Sequence, residues 1–98
     1  MIPMPVLQVS QAATRAQYEE VAQVVNLDGD TPTGLICHAA AETPSGEVVI
    51  VDVWESAEAS AEFARDRVYP AFAGTSNDEL IAQGPPQANQ TFHLVRGH

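Results

Sequence analysis

Basic charge is what this chain has least of: it contains no lysine and four arginines. Nucleic-acid binding needs a cluster of basic side chains that neutralises phosphates, and Arg15, Arg65, Arg67 and Arg96 are too scattered to form one. An anionic membrane surface would be repelled for the same reason. Thirteen acidic residues bring the formal net charge to -9, which favours neutral or cationic small molecules. We therefore expect neither a nucleic acid nor a membrane as partner.

Cysteine and long apolar runs are also scarce. Cys37 is the single cysteine, so no disulfide can form within the chain, as is usual in a reducing cytoplasm. No apolar run approaches the roughly 20 residues that cross a bilayer. The first residues lack the basic segment of a signal peptide. We expect a cytoplasmic protein in which Cys37 is a small buried apolar side chain.

Recognisable motifs for metals and cofactors are missing as well. His38, His93 and His98 are far apart and lack the spacing of zinc ligands. The chain has no glycine-rich phosphate loop and no Gly-x-Ser-x-Gly turn. The sequence therefore predicts neither a metal nor a cofactor.

The remaining pattern predicts one α+β domain over residues 1–98. Four segments have the composition of strands: residues 6–10, 35–41, 48–55 and 91–95. A helix is predicted after Thr14, which with Gln17 has the form of a capping box. Ser56 is the predicted N-cap of a second helix, which Pro70 stops or kinks, and residues 75–82 predict one short helical turn.

This β-α-β-β-α-β order is that of the ferredoxin-like motif, with a four-stranded antiparallel sheet. Its two helices cover one face of the sheet and leave the other bare. The strand at 48–55 is apolar on both faces, which is typical of a strand covered on both sides. We therefore expect a homodimer in which a second copy covers the bare face.

The turn Thr43-Pro44-Ser45-Gly46 predicts the pairing of the two middle strands, because a bulged turn of this type places Thr43 opposite Glu47. In that register His38 faces Asp52. Six side chains then lie on one face of the sheet: Ile36, His38, Ala40, Ile50, Asp52 and Trp54. The other face carries Leu35, Cys37, Ala39, Val49, Val51 and Val53. The first set suits a ligand cavity and the second a dry interface.

The predicted His38–Asp52 pair has two interpretations. A carboxylate beside an imidazole fixes its tautomer and raises its basicity, which makes a general base near neutral pH. Alternatively, the two side chains only satisfy each other's hydrogen bonding.

The stretch Val51-Asp52-Val53-Trp54-Glu55-Ser56, followed by an alanine- and glutamate-rich helix with Phe63 and then by Val68-Tyr69-Pro70, resembles the dimeric α/β-barrel superfamily. It looks closest to the branch related to antibiotic-biosynthesis monooxygenases. The strand from Gly34 to His38 is similar to actinobacterial members of unassigned reaction. The resemblance implies that two sheets pair into a barrel across a dimer, with a small ligand between sheet and helices.

That superfamily includes cofactor-free monooxygenases and cyclases of aromatic polyketides, isomerases and haem-degrading enzymes. Haem-degrading members share Trp54 but carry a histidine on the next helix, and this chain has none between Glu55 and Phe72. Haem degradation is therefore a minor alternative.

The leading hypothesis is a cofactor-independent enzyme that oxidises or cyclises a neutral aromatic or polyketide-like compound. His38 is its base and Asp52 orients the base. The candidate substrate-binding residues are Trp54, Ile36, Phe63, Tyr69 and His93. Tyr18, on the apolar face of the first helix, is expected to pack in the core. The rival hypothesis is a ligand-binding or structural dimer without catalysis.

Overall fold

The structure, a computed structural model, describes residues 5–12, 14–73 and 86–95. These residues form the strands β1 (Val6–Ala12), β2 (Leu35–Glu42), β3 (Val48–Trp54) and β4 (Asn89–Gln90), with the helix α1 (Arg15–Val25) between β1 and β2. After β3 the chain forms α2 (Ala57–Phe63), one π-helical turn (Ala64–Val68) and the short α3 (Tyr69–Phe72). The helical turn predicted at residues 75–82 lies outside the described residues.

The four strands form one antiparallel sheet in the order β2-β3-β1-β4. This arrangement confirms the predicted α+β class and is compatible with a ferredoxin-like fold. The position predicted for the last strand, at residues 91–95, is wrong. Asn89 and Gln90 pair with β1 instead, and the backbone of Thr91 still donates to the carbonyl of Pro5 at 2.9 Å. Among the described residues, the pairing of β4 with β1 is limited to Gln90 with Val6 and Asn89 with Leu7.

Both predicted helix starts are confirmed. The Thr14 hydroxyl accepts a hydrogen bond from the Gln17 backbone at 3.1 Å, and Ser56 caps α2 in the same way through Ala59 at 3.1 Å. Helix α1 ends at Asn26, which adopts the left-handed conformation with φ 56°. An asparagine tolerates this conformation better than most residues, so it closes the helix without glycine.

Pro70 does not end the second helical segment, which continues to Phe72. A π-helical turn lies immediately before the proline, and the backbone N–H of Tyr69 bonds to the carbonyl of Ala64, five residues back. Proline has no N–H and its ring crowds the carbonyl four residues earlier. The wider π-helical turn accommodates Pro70, so the helix continues through the proline to Phe72.

The β2–β3 hairpin has the predicted turn. Thr43 donates to the carbonyl of Glu47 at 2.8 Å, and Gly46 adopts φ 92°. His38 lies opposite Asp52, as expected. The predicted pairing of Ile36 with Trp54 is wrong, because the register shifts between Leu35 and Cys37 and puts Leu35 opposite Trp54.

Helices α1 and α2 pack against one face of the sheet, through contacts with β1 and β3 respectively. The largest buried side chain on this face is Trp54, which is 2% exposed. The opposite face is less covered, and Val9 at its centre is 53% exposed. Cys37 is exposed there too, so its predicted burial does not hold within one copy of the chain. None of the described residues belongs to a helix that is long and apolar enough to cross a bilayer.

Candidate functional site

A cavity of about 710 Å³ lies between the helices and the sheet. This is within the range of roughly 300–1,000 Å³ that small-molecule sites occupy. Its walls are mostly apolar and come from both layers, including Val21, Val25, Leu35, Ile50, Phe63 and Val68. Among the described lining residues, Asp52 is the only acidic side chain and His38 is the only histidine, and none of them is an arginine. The cavity therefore offers little to an anionic ligand.

The structure brings His38 and Asp52 together in this cavity. They occupy directly opposed positions on β2 and β3, and Nδ1 of His38 forms a hydrogen bond with Oδ1 of Asp52. Each side chain is 21% exposed, so the pair is mostly shielded from water. The hydrogen bond to Asp52 raises the pKa of His38 above its usual value, against the opposing effect of burial. The arrangement has the geometry of an oriented base.

Tyr18 completes a chain of three groups that the sequence did not predict. Its hydroxyl lies 2.7 Å from Nε2 of His38, and the two ring planes are nearly parallel, at 13°, with centroids 6.0 Å apart. Burial, reinforced by the negative charges of Asp52 and Asp28, raises the pKa of the Tyr18 phenol, which keeps it protonated. The helical spacing of Tyr18 predicts that it lies on the inner face of the helix. It does not predict that the Tyr18 hydroxyl contacts His38, 20 residues later in the chain.

The aromatic wall of the cavity includes three of the predicted substrate-binding residues. Trp54 and Phe63 are in contact, with ring centroids 5.2 Å apart at 40°, and Tyr69 lines the same space. Cζ of Arg67 lies 5.2 Å from the centroid of the Phe63 ring, so the guanidinium and the ring form a cation–π contact. Nε1 of Trp54 is buried without a hydrogen-bond partner in the described part of the chain. The packing of the indole therefore stabilises the fold less than its size suggests, because desolvating an unpaired N–H costs free energy.

A second polar group in the cavity wall joins the sheet to α2. Ser60 donates to Oε1 of Gln8 at 2.7 Å, and Nε2 of Gln8 donates to the carbonyl of Pro86 at 2.9 Å. Both side chains belong to residues that are only 6% exposed. The sequence offers one indication of this contact. Gln8 lies on the same face of the strand as Val6, and a glutamine on an inward-facing position needs a buried hydrogen-bond partner.

Two predicted site residues lie away from the cavity. Ile36 is displaced by the irregularity in β2, and Leu35 takes its place in the lining. His93 lies beyond the end of β4, is exposed and does not line the cavity. Of the seven predicted residues, the structure gathers five around one space: His38, Asp52, Trp54, Phe63 and Tyr69. Their roles stay predictions.

Metal-binding geometry is not seen in the described ranges, where no group of three or more His, Cys, Asp or Glu side chains is placed to hold an ion. Comparison with known proteins finds no matching protein-family model and no matching curated protein.

Proposed function

We propose that this protein is a cofactor-independent enzyme that acts on a neutral aromatic or polyketide-like compound. The observation that supports this most directly is the His38–Asp52 pair within a largely apolar cavity. Asp52 holds the imidazole in one tautomer and stabilises its protonated form, as in other oriented bases. The first step is removal of an acidic proton from the substrate.

The resulting anion is electron-rich and has two outcomes that need no cofactor. It can attack an electrophilic carbon of the same molecule and close a ring. It can also react with molecular oxygen, in which case an activated methylene and O₂ give a carbonyl and water. Both belong to the activities that the resemblance to the antibiotic-biosynthesis-monooxygenase branch implies. The lack of arginine and lysine in the described cavity lining supports a substrate without fixed negative charge.

A second candidate is a binding protein that holds the same ligand without converting it. The observation that favours it is that both ring nitrogens of His38 already have hydrogen-bond partners within the chain. A histidine satisfied in this way is compatible with a purely structural role. Turnover, rather than binding, is therefore the quantity that separates the two candidates.

The test is oxygen uptake and product formation with anthrone- and quinol-type compounds. We expect His38→Ala to lower turnover by about 10²- to 10⁴-fold, the usual contribution of a general base. His93→Ala is the matched control, because His93 is exposed outside the cavity and should leave turnover unchanged. Binding without turnover in the unaltered protein contradicts the enzyme and supports the binding protein. Equal turnover in the two variants contradicts the role of His38 as the base.

We also propose that the working form is a homodimer in which a second copy covers the sheet face opposite the helices. The residues that the described strands place there are uncharged: Leu7, Val9, Gln11, Cys37, Ala39, Ala41, Val49, Val51, Val53 and Asn89. In a chain with a net charge of -9, an uncharged and partly exposed face is where two copies meet with least repulsion.

Light scattering at micromolar concentration tests the dimer. Val9→Lys places a charge in the centre of the face and is expected to produce monomers. Val24→Lys is its matched control, because Val24 is also exposed, at 66%, but lies on α1. A monomer in the unaltered protein, or dissociation by Val24→Lys alone, contradicts this interface.

A further inference from the structure

The hydrogen bonds around His38 restrict how this residue can meet a ligand. An imidazole has two nitrogens, each of which forms one hydrogen bond in the ring plane. Nδ1 is engaged by Asp52 and Nε2 by the hydroxyl of Tyr18 at 2.7 Å. A ligand proton therefore has no free nitrogen of His38 to approach.

Among the described residues, His38 is the only hydrogen-bond partner of the Tyr18 hydroxyl. A phenolic oxygen donates one hydrogen bond and accepts others, so its contact with Nε2 leaves a further position. Tyr18 is half-buried and lines the cavity together with His38 and Asp52. Of the phenol and the imidazole, only the phenol can therefore bond to a ligand in this arrangement.

We propose that Tyr18 is the group that contacts the acidic proton of the substrate and relays it to His38, and that this proton belongs to a phenolic or enolic hydroxyl. The inference rests on the proposed function, since it concerns the same proton abstraction. A hydroxyl ligand suits the position because it donates to Oη of Tyr18 before ionisation and accepts from it afterwards.

The transfer is balanced within the three groups and the ligand. The ligand O–H bond breaks as a new O–H bond forms on Tyr18, while the original O–H bond of Tyr18 breaks as an N–H bond forms on Nε2 of His38. The ligand gains one negative charge and the imidazole one positive charge. The carboxylate of Asp52 on the far side of the ring stabilises that positive charge. No oxidant or reductant takes part in this step.

After the transfer the Tyr18 hydroxyl donates to the oxygen anion of the ligand. A donor already positioned where negative charge develops stabilises it more than solvent does, because no reorganisation is needed. Tyr18 is thus a catalytic residue with two roles, and Tyr18→Phe removes both while it keeps an aromatic ring beside His38.

The test uses 4-nitrophenol, whose ionised form absorbs visible light, with the full-length protein. We expect the unaltered protein to bind the probe and shift its ionisation towards lower pH. Tyr18→Phe should bind the probe without this shift, and should lower turnover on an identified hydroxyl substrate by about 10²-fold or more. His93→Gln is the matched control, because it removes an exposed histidine that is not in the cavity.

The outcomes separate the relay from the enzyme hypothesis. If Tyr18→Phe ionises the probe as well as the unaltered protein while His38→Gln does not, His38 acts directly and the relay is wrong. If the unaltered protein does not ionise the probe, the relay is wrong. Oxygen uptake and product formation with the anthrone-type compounds then decide the enzyme proposal separately.

A measurement on the unaltered protein alone covers the case in which Tyr18→Phe does not fold. Turnover in mixtures of H₂O and D₂O should show a curved dependence on the deuterium fraction, since two protons move together. A linear dependence contradicts the relay.

Discussion

The pH dependence of folding stability is the most direct test of the His38–Asp52 contact, because it needs no substrate. The perturbation is Asp52→Asn, which keeps the size of the side chain and a hydrogen-bond acceptor but removes its charge. Both partners are only 21% exposed, so the bond is shielded better than a surface ion pair, whose contribution is about 0–1 kcal/mol. Hydrogen bonds to charged groups contribute about 1.5–3 kcal/mol, against about 0.5–1.5 kcal/mol for neutral ones. We therefore expect Asp52→Asn to cost about 1 kcal/mol even where His38 is neutral.

A further loss depends on pH. The hydrogen bond to Asp52 raises the pKa of His38 in the folded protein above its value of 6.5 in a model compound. The folded state therefore binds the proton more tightly than the unfolded state. The added stability is fully present below the unfolded pKa and is lost as the pH rises through the folded pKa. Within that window the free energy of unfolding falls by at most about 1.4 kcal/mol per pH unit for one proton.

The assay is urea unfolding followed by far-ultraviolet circular dichroism from pH 6 to pH 9, at fixed ionic strength. Protein concentration is also held constant, because association would otherwise alter the apparent stability. We expect the difference between the unaltered protein and Asp52→Asn to be largest at pH 6 and to shrink as the pH rises. His93→Gln, at an exposed histidine, should leave this difference unchanged. A difference that is constant or grows with pH refutes the pairing of His38 with Asp52.

Three further substitutions test the packing around the cavity. Trp54→Phe should lower the free energy of unfolding by less than about 2 kcal/mol, against about 3–5 kcal/mol for Trp54→Ala. The phenylalanine fills much of the same space and removes a buried N–H that has no partner among the described residues. Equal losses for the two variants on urea unfolding contradict this. Ser60→Ala leaves Oε1 of Gln8 buried without its donor and should cost about 1–3 kcal/mol, seen as a lower Tm; an unchanged Tm argues against the bond. Gly34→Ala should destabilise more than Gly46→Ala in the same unfolding assay. Both glycines have positive φ, 90° and 92°, but a Cβ at Gly34 would lie 2.7 Å from a methyl group of α2 while Gly46 has open space; equal losses contradict that close approach.

The His38–Asp52 pair could be predicted from the sequence because its geometry depends on a local feature. Thr43-Pro44-Ser45-Gly46 specifies a bulged turn, and the turn sets the register of the two strands that it joins. Counting outward from Thr43 placed His38 opposite Asp52, as the structure has it. The helix caps at Thr14 and Ser56 were predictable for the same reason, since each depends on residues within one turn.

The error at Ile36 arose where a distant contact overrides the hairpin pattern. Gly34 accepts a hydrogen bond from Glu55 at 2.8 Å and lies against Ala59 of α2. The chain must meet these neighbours as it enters β2, and the irregularity at Leu35 and Cys37 follows directly after. Strand alternation counted from the turn does not include such a contact.

Periodicities of two and 3.6, capping residues and one turn sequence were enough to specify the order of the elements, the hairpin register from the turn as far as His38 and Asp52, and the face on which these two residues lie. These features depend on interactions over a few residues, so they can be read along the chain. Packing in three dimensions decided that Tyr18 bonds to His38, that Ser60 bonds to Gln8 and that Leu35 rather than Ile36 lines the cavity. Each of these contacts needs α1, α2 and the sheet at a set distance and angle, and that arrangement is a property of the whole packed chain.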